Sequence, residues 1–353
     1  MDIEERLELV RRPPTEEVVT EQELRALLVE KQHPRHYIGL EVSGILNLGS
    51  LVVNGFKIND FIRAGMECTV FLADWHSYIN NKWGGDWEKI GRVAREYYAD
   101  AFTFLCPGVK IRYGSDLYRG NDEYWRNLLR FSKEISLERD VRCLTIMGRS
   151  TKEKLDVAQY LYPPMQATDI WAMDLDVVQA GMDQRKVHML AREVFPSLHW
   201  KKPVAVHHHI LAGLQEPRTS GIDEDATTDR IISSKMSKSK PDSAIFIHDS
   251  PEEIGRKLGK AWCPEKVVEA NPVLEFTRYI IFHEMSSFSI ERPEKYGGNA
   301  TYTSYAELEK DYSEGKLHPS DLKKSVSREL AQILAPLRDH FKGREIMAEI
   351  LAA

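Results

Sequence analysis

The sequence predicts an α/β protein whose first two thirds interleave helices with a parallel sheet and whose last third is helical. Two observations carry that expectation. Short apolar runs with strand character alternate with stretches of 3.6-residue periodicity in the first two thirds, and beyond residue 250 the runs are helical. The pattern changes at Ser250-Pro251-Glu252-Glu253, where a serine cap, a first-turn proline and early acids mark a helix start. Domains over 1–249 and 250–353 are therefore expected.

His36-Tyr37-Ile38-Gly39-Leu40-Glu41-Val42 reads as a strand, and Ser43-Gly44 breaks it. Leu51, Phe56, Ile58, Phe61 and Ile62 then recur at helical spacing from Ser50 to Ala64. Between strand and helix stand Asn47-Leu48-Gly49-Ser50. A helix N-terminus with a glycine and small polar side chains makes an anion site, because free backbone donors and the helix dipole point the same way. Thr69-Val70-Phe71-Leu72-Ala73 is a second buried-type strand and runs into Asp74-Trp75-His76. A carboxylate and an imidazole thus stand at a strand's carboxyl end, where open α/β sheets bind ligands. From Gly120 to Lys154, apolar helical runs (Trp125, Leu128, Leu129, Phe131, then Val141, Leu144, Ile146, Met147) interrupt the alternation as a helical insertion spanning roughly 110–160.

Tyr162, Gln166 and Asp169 are spaced by four and then three, and Pro163-Pro164 are tolerated in a helix's first turn, so all three side chains share one helical face. The flanking Met165, Ile170, Trp171, Ala172 and Met173 make this helix largely buried. Buried polar groups need partners, and a ligand can supply them. Gly181-Met182-Asp183-Gln184-Arg185-Lys186 follows as a tight turn with hydrogen-bonding groups and then two cations. Val204 to Leu211 reads as another strand, with Gly213 after it. His207 and His209 share a face of it, but no cysteine or acid stands near them in the sequence, and no metal site is assigned. Gln215 to Ser234 is polar and reads as a surface loop. It leads to Lys235-Met236-Ser237-Lys238-Ser239, followed by the strand-like Ala244-Ile245-Phe246-Ile247-His248-Asp249. A cationic loop beside a sheet can close over a triphosphate and neutralise charge that grows on departing pyrophosphate.

The chain has 353 residues, ample for two domains, and 42% hydrophobic residues suit a globular protein. No apolar run reaches transmembrane length, and the start Met1-Asp2-Ile3-Glu4-Glu5-Arg6 is too acidic for a targeting peptide. The scattered Cys68, Cys106, Cys143 and Cys263 suggest neither disulfides nor zinc, so a reducing cytoplasm is expected. With a net charge of −6, any RNA contact is expected to use local patches.

The lysine pentapeptide resembles the signature loop of class I aminoacyl-tRNA synthetases. Together with Tyr37-Ile38-Gly39, Leu72-Ala73-Asp74-Trp75-His76, the stretch from Tyr162 to Ile170 and that from Gly181 to Lys186, it resembles the tyrosyl-tRNA synthetase family of the archaeal and eukaryotic branch, over nearly the whole chain. The resemblance implies a Rossmann-like nucleotide-binding parallel sheet, a helical insertion that forms a two-fold homodimer interface, and an α-helical anticodon-binding domain. It implies ATP-dependent attachment of L-tyrosine to tRNA(Tyr) through a tyrosyl-adenylate, with ATP as substrate and Mg2+ accompanying it.

Residue by residue, the resemblance places Tyr37 and Asp169 on the substrate phenol. Tyr162, Gln166 and Gln184 fall on its ammonium, with His76 and Ala73 in the same pocket. Gly181 and Asp183 match ribose contacts, and Gly49, Met236, Ser237 and Ser239 complete the ATP site. Lys235, Lys238, Asn47 and Ser50 match the catalytic positions, and Arg185 and Lys186 lie toward the acceptor stem. Arg292-Pro293-Glu294-Lys295-Tyr296-Gly297-Gly298 and the stretch from Leu317 to Lys323 resemble anticodon-binding segments, with Tyr296, His318 and Asp321 as the contacts. The chain departs from the family at Asn47-Leu48-Gly49-Ser50, where His-Ile-Gly-His is usual. That departure keeps a second reading in play, a non-catalytic paralogue that binds tRNA or tyrosine. A tryptophanyl enzyme is a third, opposed by Tyr37 with Asp169, since an indole needs no such partners.

Overall fold

The computed structural model describes residues 1–148, 154–237 and 240–351, the Tyr296 side chain apart. Six strands form one sheet: β1 (Thr15–Val19), β2 (Arg35–Leu40), β3 (Glu67–Leu72), β4 (Lys110–Tyr113), β5 (Val177–Gly181) and β6 (Val204–His208). Their order is β1-β6-β5-β2-β3-β4, parallel throughout except for the antiparallel edge strand β1. The chain builds outward from β2 through β3 to β4, then crosses back and builds the other way through β5 and β6. β2 and β5 are therefore neighbours across the point where the order reverses, and their carboxyl ends open the crevice where such sheets bind ligands.

Successive residues of each strand face opposite sides, so the sheet carries two apolar cores. Ile38, Val70, Leu72, Val177, Val204 and Val206 belong to one, which continues into the helices Pro251–Lys260 and Pro319–Phe341 of the last third. Tyr37, Phe71, Val178 and Ala205 belong to the other, which takes in the insertion helix Asp122–Lys133 and the helix Tyr162–Ala172. Leu128, Phe131, Leu144, Ile146 and Met147 of the insertion are buried in this second core. Leu129 and Leu137 are instead exposed at 67% and 68%. Among the described residues no helix is long and apolar enough to cross a membrane.

The structure corrects the sequence reading in three places. Ala244 to Asp249 forms no strand of the sheet: Phe246 makes one antiparallel bridge to Asn47, and Leu48 and Leu46 exchange backbone bonds with Ile245 and Ile247. The cause is local, because the Asp249 carboxylate accepts the Phe246 N–H at 2.8 Å and folds the run back on itself. The polar stretch from Gln215 to Ser234 is not all loop, since its second half is the helix Ala226–Ser234, capped by Asp225. The strand expected over Val204 to Leu211 stops at His208, where the His209 N–H turns aside to the Pro14 carbonyl. Ser250 caps the helix Pro251–Lys260 as expected.

Candidate active site

Pro163 and Pro164 occupy the first turn of the helix Tyr162–Ala172, where no intrahelical donor is lost, and the helix aims Tyr162, Gln166 and Asp169 toward the sheet. Tyr37 reaches the same space from β2 and is 1% exposed. Its hydroxyl pairs with Gln166, and burial followed by the nearby Asp169 charge pushes it up. Gln166 Nε2 donates to Gln184 Oε1 at 3.3 Å, and Gln184 Nε2 to the Ile146 carbonyl at 2.9 Å. Tyr162 donates to Glu41 Oε1 at 2.9 Å, and the same oxygen accepts Asn80 Nδ2 at 2.7 Å. Ala73 ends the β3 side of the pocket, its N–H bonded to the Leu40 carbonyl. The residues assigned to tyrosine are thus brought together at the β2–β5 crevice.

Asp169 is the electrostatic centre of this pocket. Burial pushes its carboxyl up to about 8, opposed by hydrogen bonds from Tyr124 and Tyr118. His76 Nε2 lies 3.9 Å from Asp169 Oδ2, and the ring meets Tyr162 edge-on at 4.5 Å. Burial lowers His76 to about 4, so it is neutral near pH 7 and brings no cation to Asp169.

The nucleotide side is built on the turn Leu48–Val53. Asn47 and Ser50 cap it reciprocally: the Ser50 N–H bonds Asn47 Oδ1 and the Asn47 N–H bonds Ser50 Oγ, both at 2.9 Å. The Leu48 N–H goes to the Ile245 carbonyl. The free donors expected at this terminus are therefore largely taken up by its own cap and by Ile245. Gly49 remains accessible, for a Cβ there would meet only Asn47 Oδ1 at 3.5 Å and Leu211 Cβ at 4.0 Å among the described residues. Among the described residues nothing else lies within 4 Å of that position.

Across the crevice, Gly181 ends β5 in extended backbone, and a Cβ would meet Asp183 Oδ1 at 2.9 Å and Ile210 at 3.0 Å. Asp183 Oδ2 lies 3.1 Å from Lys235 Nζ, and this ion pair is the main reason the lysine is raised above its ordinary value. The base of the lysine loop is woven to its surroundings by backbone bonds. Ala212 bridges Lys235, Gly213 N–H bonds the Ser234 carbonyl, and Leu214 N–H bonds that of Ser243. Gly213 permits this weave, because a Cβ would stand 3.0 Å from the Ser243 oxygen and 3.1 Å from that of Ser234. Met236 is buried and the Ser237 N–H bonds Ser243 Oγ at 3.2 Å. Lys238 and Ser239 lie outside the described residues.

Neither cation of the following turn stands alone. Arg185 forms a two-pronged pair with Glu17 of β1, and Lys186 pairs with Asp223 at 2.5 Å. In the last third, Arg292 joins the two segments assigned to the anticodon: its guanidinium bonds the Gly298 carbonyl and, at 2.7 Å, the Lys316 carbonyl. The turn Glu294–Tyr296 and the start of the helix Pro319–Phe341 are thereby tied together. His318 caps that helix, its Nδ1 accepting the Ser320 N–H, and is 58% exposed beside Glu265. Asp321 is half-buried in the first turn, and the Tyr296 ring lies outside the described residues.

The sequence reading missed Glu41, Tyr118, Tyr124 and the acids around the histidines of β6. Glu41 carries a signal, an acid directly after the carboxyl end of β2. Glu16 and Glu17 reach His209 and His207 only because β1 pairs with β6, so the expectation that no acid stands near those histidines does not hold. These contacts belong to ion-pair networks, with Glu17 shared between His207 and Arg185, and His209 set between Glu16 and Glu275. Among the described residues, no group of three such side chains is arranged to hold a metal ion.

The mostly parallel sheet with its switch-point crevice and the helical last third are the architecture of a class I aminoacyl-tRNA synthetase. The family model described as tRNA synthetases class I (W and Y) matches residues 30–335, and the chain belongs to that family. Within it, the chain is 45% identical to the tyrosine--tRNA ligase of Thermococcus kodakarensis, across 99% of both chains. It is 46% identical to that of Pyrococcus furiosus, across 99% of this chain and 98% of the relative. The crystal structure of tyrosyl-tRNA synthetase complexed with L-tyrosine from Pyrococcus horikoshii superposes with a TM-score of 0.92 at 45% identity, covering all of both chains. A tryptophanyl-tRNA synthetase from Aeropyrum pernix K1 shares the fold at a TM-score of 0.67 and 18% identity, over 91% of this chain and 81% of that one.

Proposed function

We propose that this chain attaches L-tyrosine to tRNA(Tyr) in two ATP-dependent steps. The observation that carries the reading is the convergence of Tyr37, Gln166 and Asp169 at the β2–β5 crevice, a buried polar surface shaped for a phenol. Tyr37 and Asp169 take the substrate hydroxyl. Tyr162, Gln166 and Gln184 surround its ammonium, with Glu41 adding negative charge behind Tyr162, and His76 and Ala73 close the pocket. The tyrosine carboxylate then attacks the α-phosphate of ATP, forming the P–O bond of the adenylate as pyrophosphate leaves. Magnesium enters with ATP as part of the substrate. The 3′-adenosine hydroxyl of tRNA next attacks the activated carbonyl, and AMP leaves.

The protein's contribution is positioning and charge stabilisation, with no covalent enzyme intermediate. Gly49, Asn47 and Ser50 receive the phosphates at the capped turn, while Gly181 and Asp183 hold the ribose. Asp183 then exchanges its Lys235 partner for the nucleotide, and the freed ammonium reaches the phosphates with Lys238, as Met236, Ser237 and Ser239 carry the loop over them. Arg185 and Lys186 approach the acceptor stem after parting from Glu17 and Asp223. Tyr296, His318 and Asp321 read the anticodon, where a stacking ring and an acceptor for guanine recognise unpaired bases. The insertion forms a homodimer through its exposed Leu129 and Leu137, and the protein works in the cytoplasm. ATP–pyrophosphate exchange with each amino acid tests the reading: exchange driven by tyrosine alone is expected. Exchange with tryptophan would overturn the specificity, and no exchange despite tyrosine binding would establish a non-catalytic paralogue.

A further inference from the structure

Asp169 does not stand alone at the end of its pocket. The Tyr118 hydroxyl sits astride the carboxylate, 3.0 Å from Oδ1 and 3.1 Å from Oδ2, and the Tyr124 hydroxyl lies 2.8 Å from Oδ1. Tyr124 Oη also lies 3.3 Å from the Met165 carbonyl, one turn earlier on the same helix as Asp169, so the short bond to Asp169 is its principal one. Both phenols are fully buried, and their rings pack against each other at 4.6 Å. Trp75 meets the Tyr118 ring edge-on at 5.3 Å, and the Trp125 indole N–H bonds the Tyr118 carbonyl at 3.3 Å. This packing holds both hydroxyl oxygens beside the carboxyl.

A carboxylate offers about four lone-pair directions. The two phenols concentrate on Oδ1, and Oδ2 carries the longer arm of the Tyr118 contact. Oδ2 is also the oxygen that faces His76. We propose that Tyr118 and Tyr124 are specificity-determining positioning residues, which fix the orientation of the Asp169 carboxyl and leave Oδ2 directed at the hydroxyl that separates tyrosine from phenylalanine. The inference rests on the proposed role of Asp169 as phenol acceptor. Its physical basis is that donors to a carboxylate favour the charged form, in opposition to the burial that disfavours it. Were those donors lost, Asp169 would take up a proton more readily still, and its carboxyl would be free to turn.

The test compares Tyr118→Phe, Tyr124→Phe, the double variant and Asp169→Ala in tyrosine- and phenylalanine-dependent pyrophosphate exchange as a function of pH. Each phenylalanine variant is expected to lower the tyrosine-to-phenylalanine ratio of kcat/KM about tenfold, and the double variant further, since a hydrogen bond to a charged group is removed each time. The acid limb of kcat/KM for tyrosine is expected to move to higher pH in the same order. In an Asp169→Ala background, adding Tyr118→Phe is expected to leave the ratio where Asp169→Ala set it. If the phenylalanine variants lower both activations equally and the acid limb stays in place, the tyrosines only pack the core and the proposal is overturned. If Asp169→Ala itself leaves the ratio unchanged, the reading of Asp169 fails first and the proposal with it.

Discussion

His209 links three parts of the chain, and that makes stability and nucleotide binding depend on pH in a definite direction. Its Nδ1 lies 2.6 Å from Glu16 on β1, its Nε2 lies 3.0 Å from Glu275 in the helix Pro272–Phe276, and its ring stacks on Tyr279 at 4.4 Å. Burial works against the charged ring, but the two carboxylates outweigh it and raise the group from 6.5 to about 9. A pKa raised on folding stabilises fully below the unfolded value, so the contribution is whole below pH 6.5 and lost as pH rises through 9. At about 1.4 kcal/mol per unit the shift corresponds to about 3 kcal/mol, reduced to about 2 because Glu16 is partly solvated. His209→Gln should therefore cost about 2 kcal/mol in urea unfolding at pH 6 and far less at pH 9.5. Glu275 also accepts the Ala212 N–H at 2.8 Å, and Ala212 bridges Lys235. The wild-type KM for ATP should accordingly rise between these two pH values, whereas the variant should show the raised value throughout. An equal stability loss at both pH values would refute the ion-pair account and leave His209 as a packing residue.

Asn47→His should raise the rate constant of adenylate formation, measured before the steady state, at nearly unchanged tyrosine affinity, because an imidazole can be cationic where the amide cannot and so acts on charge that develops during the reaction. The same change replaces the amide oxygen that holds the Ser50 N–H by a ring nitrogen of different reach and should cost up to about 1 kcal/mol in unfolding. Asp321→Ala should weaken tRNA charging by about 1–3 kcal/mol while leaving pyrophosphate exchange intact. Equal losses in both assays would show that Asp321 acts through folding. Sedimentation should show a dimer at micromolar concentration, and Leu129→Glu with Leu137→Glu should shift it toward monomer; a wild-type monomer would remove the insertion as an interface.

The parts of the site that were legible in the sequence are those whose geometry is local. The spacing of Tyr162, Gln166 and Asp169 with two prolines at the start fixes one helical face, and β2 and β3 are buried at Tyr37-Ile38 and Val70-Phe71-Leu72, short apolar stretches that read as strand. β1 was illegible because Thr-Glu-Glu-Val-Val is an edge strand with its acids turned to partners on another strand. The helix Ala226–Ser234 buries Asp229 and Ile232 under an otherwise polar sequence, so composition pointed to a loop. Asp229 is buried because it accepts the N–H groups of Ser220, Gly221 and Ile222, a role no periodicity reveals. Tyr118 and Tyr124 precede Asp169 by 51 and 45 residues. In the sequence they are indistinguishable from aromatic core residues, and only closure of the insertion over the helix Tyr162–Ala172 makes them partners of a carboxylate.

The reciprocal cap at the nucleotide turn makes positions 47 and 50 a single unit of mutation. Each side chain satisfies the backbone N–H of the other, so a change at one alters the surroundings of both. A histidine introduced at 47 alone loses the amide acceptor for the Ser50 N–H, and one introduced at 50 alone loses the hydroxyl that receives the Asn47 N–H. Any stepwise path between Asn-Leu-Gly-Ser and a pair of histidines therefore has to rebuild each bond in turn with an imidazole nitrogen as acceptor, as His318 Nδ1 does for the Ser320 N–H. The fitness effect of either step depends on whether the other has already been taken.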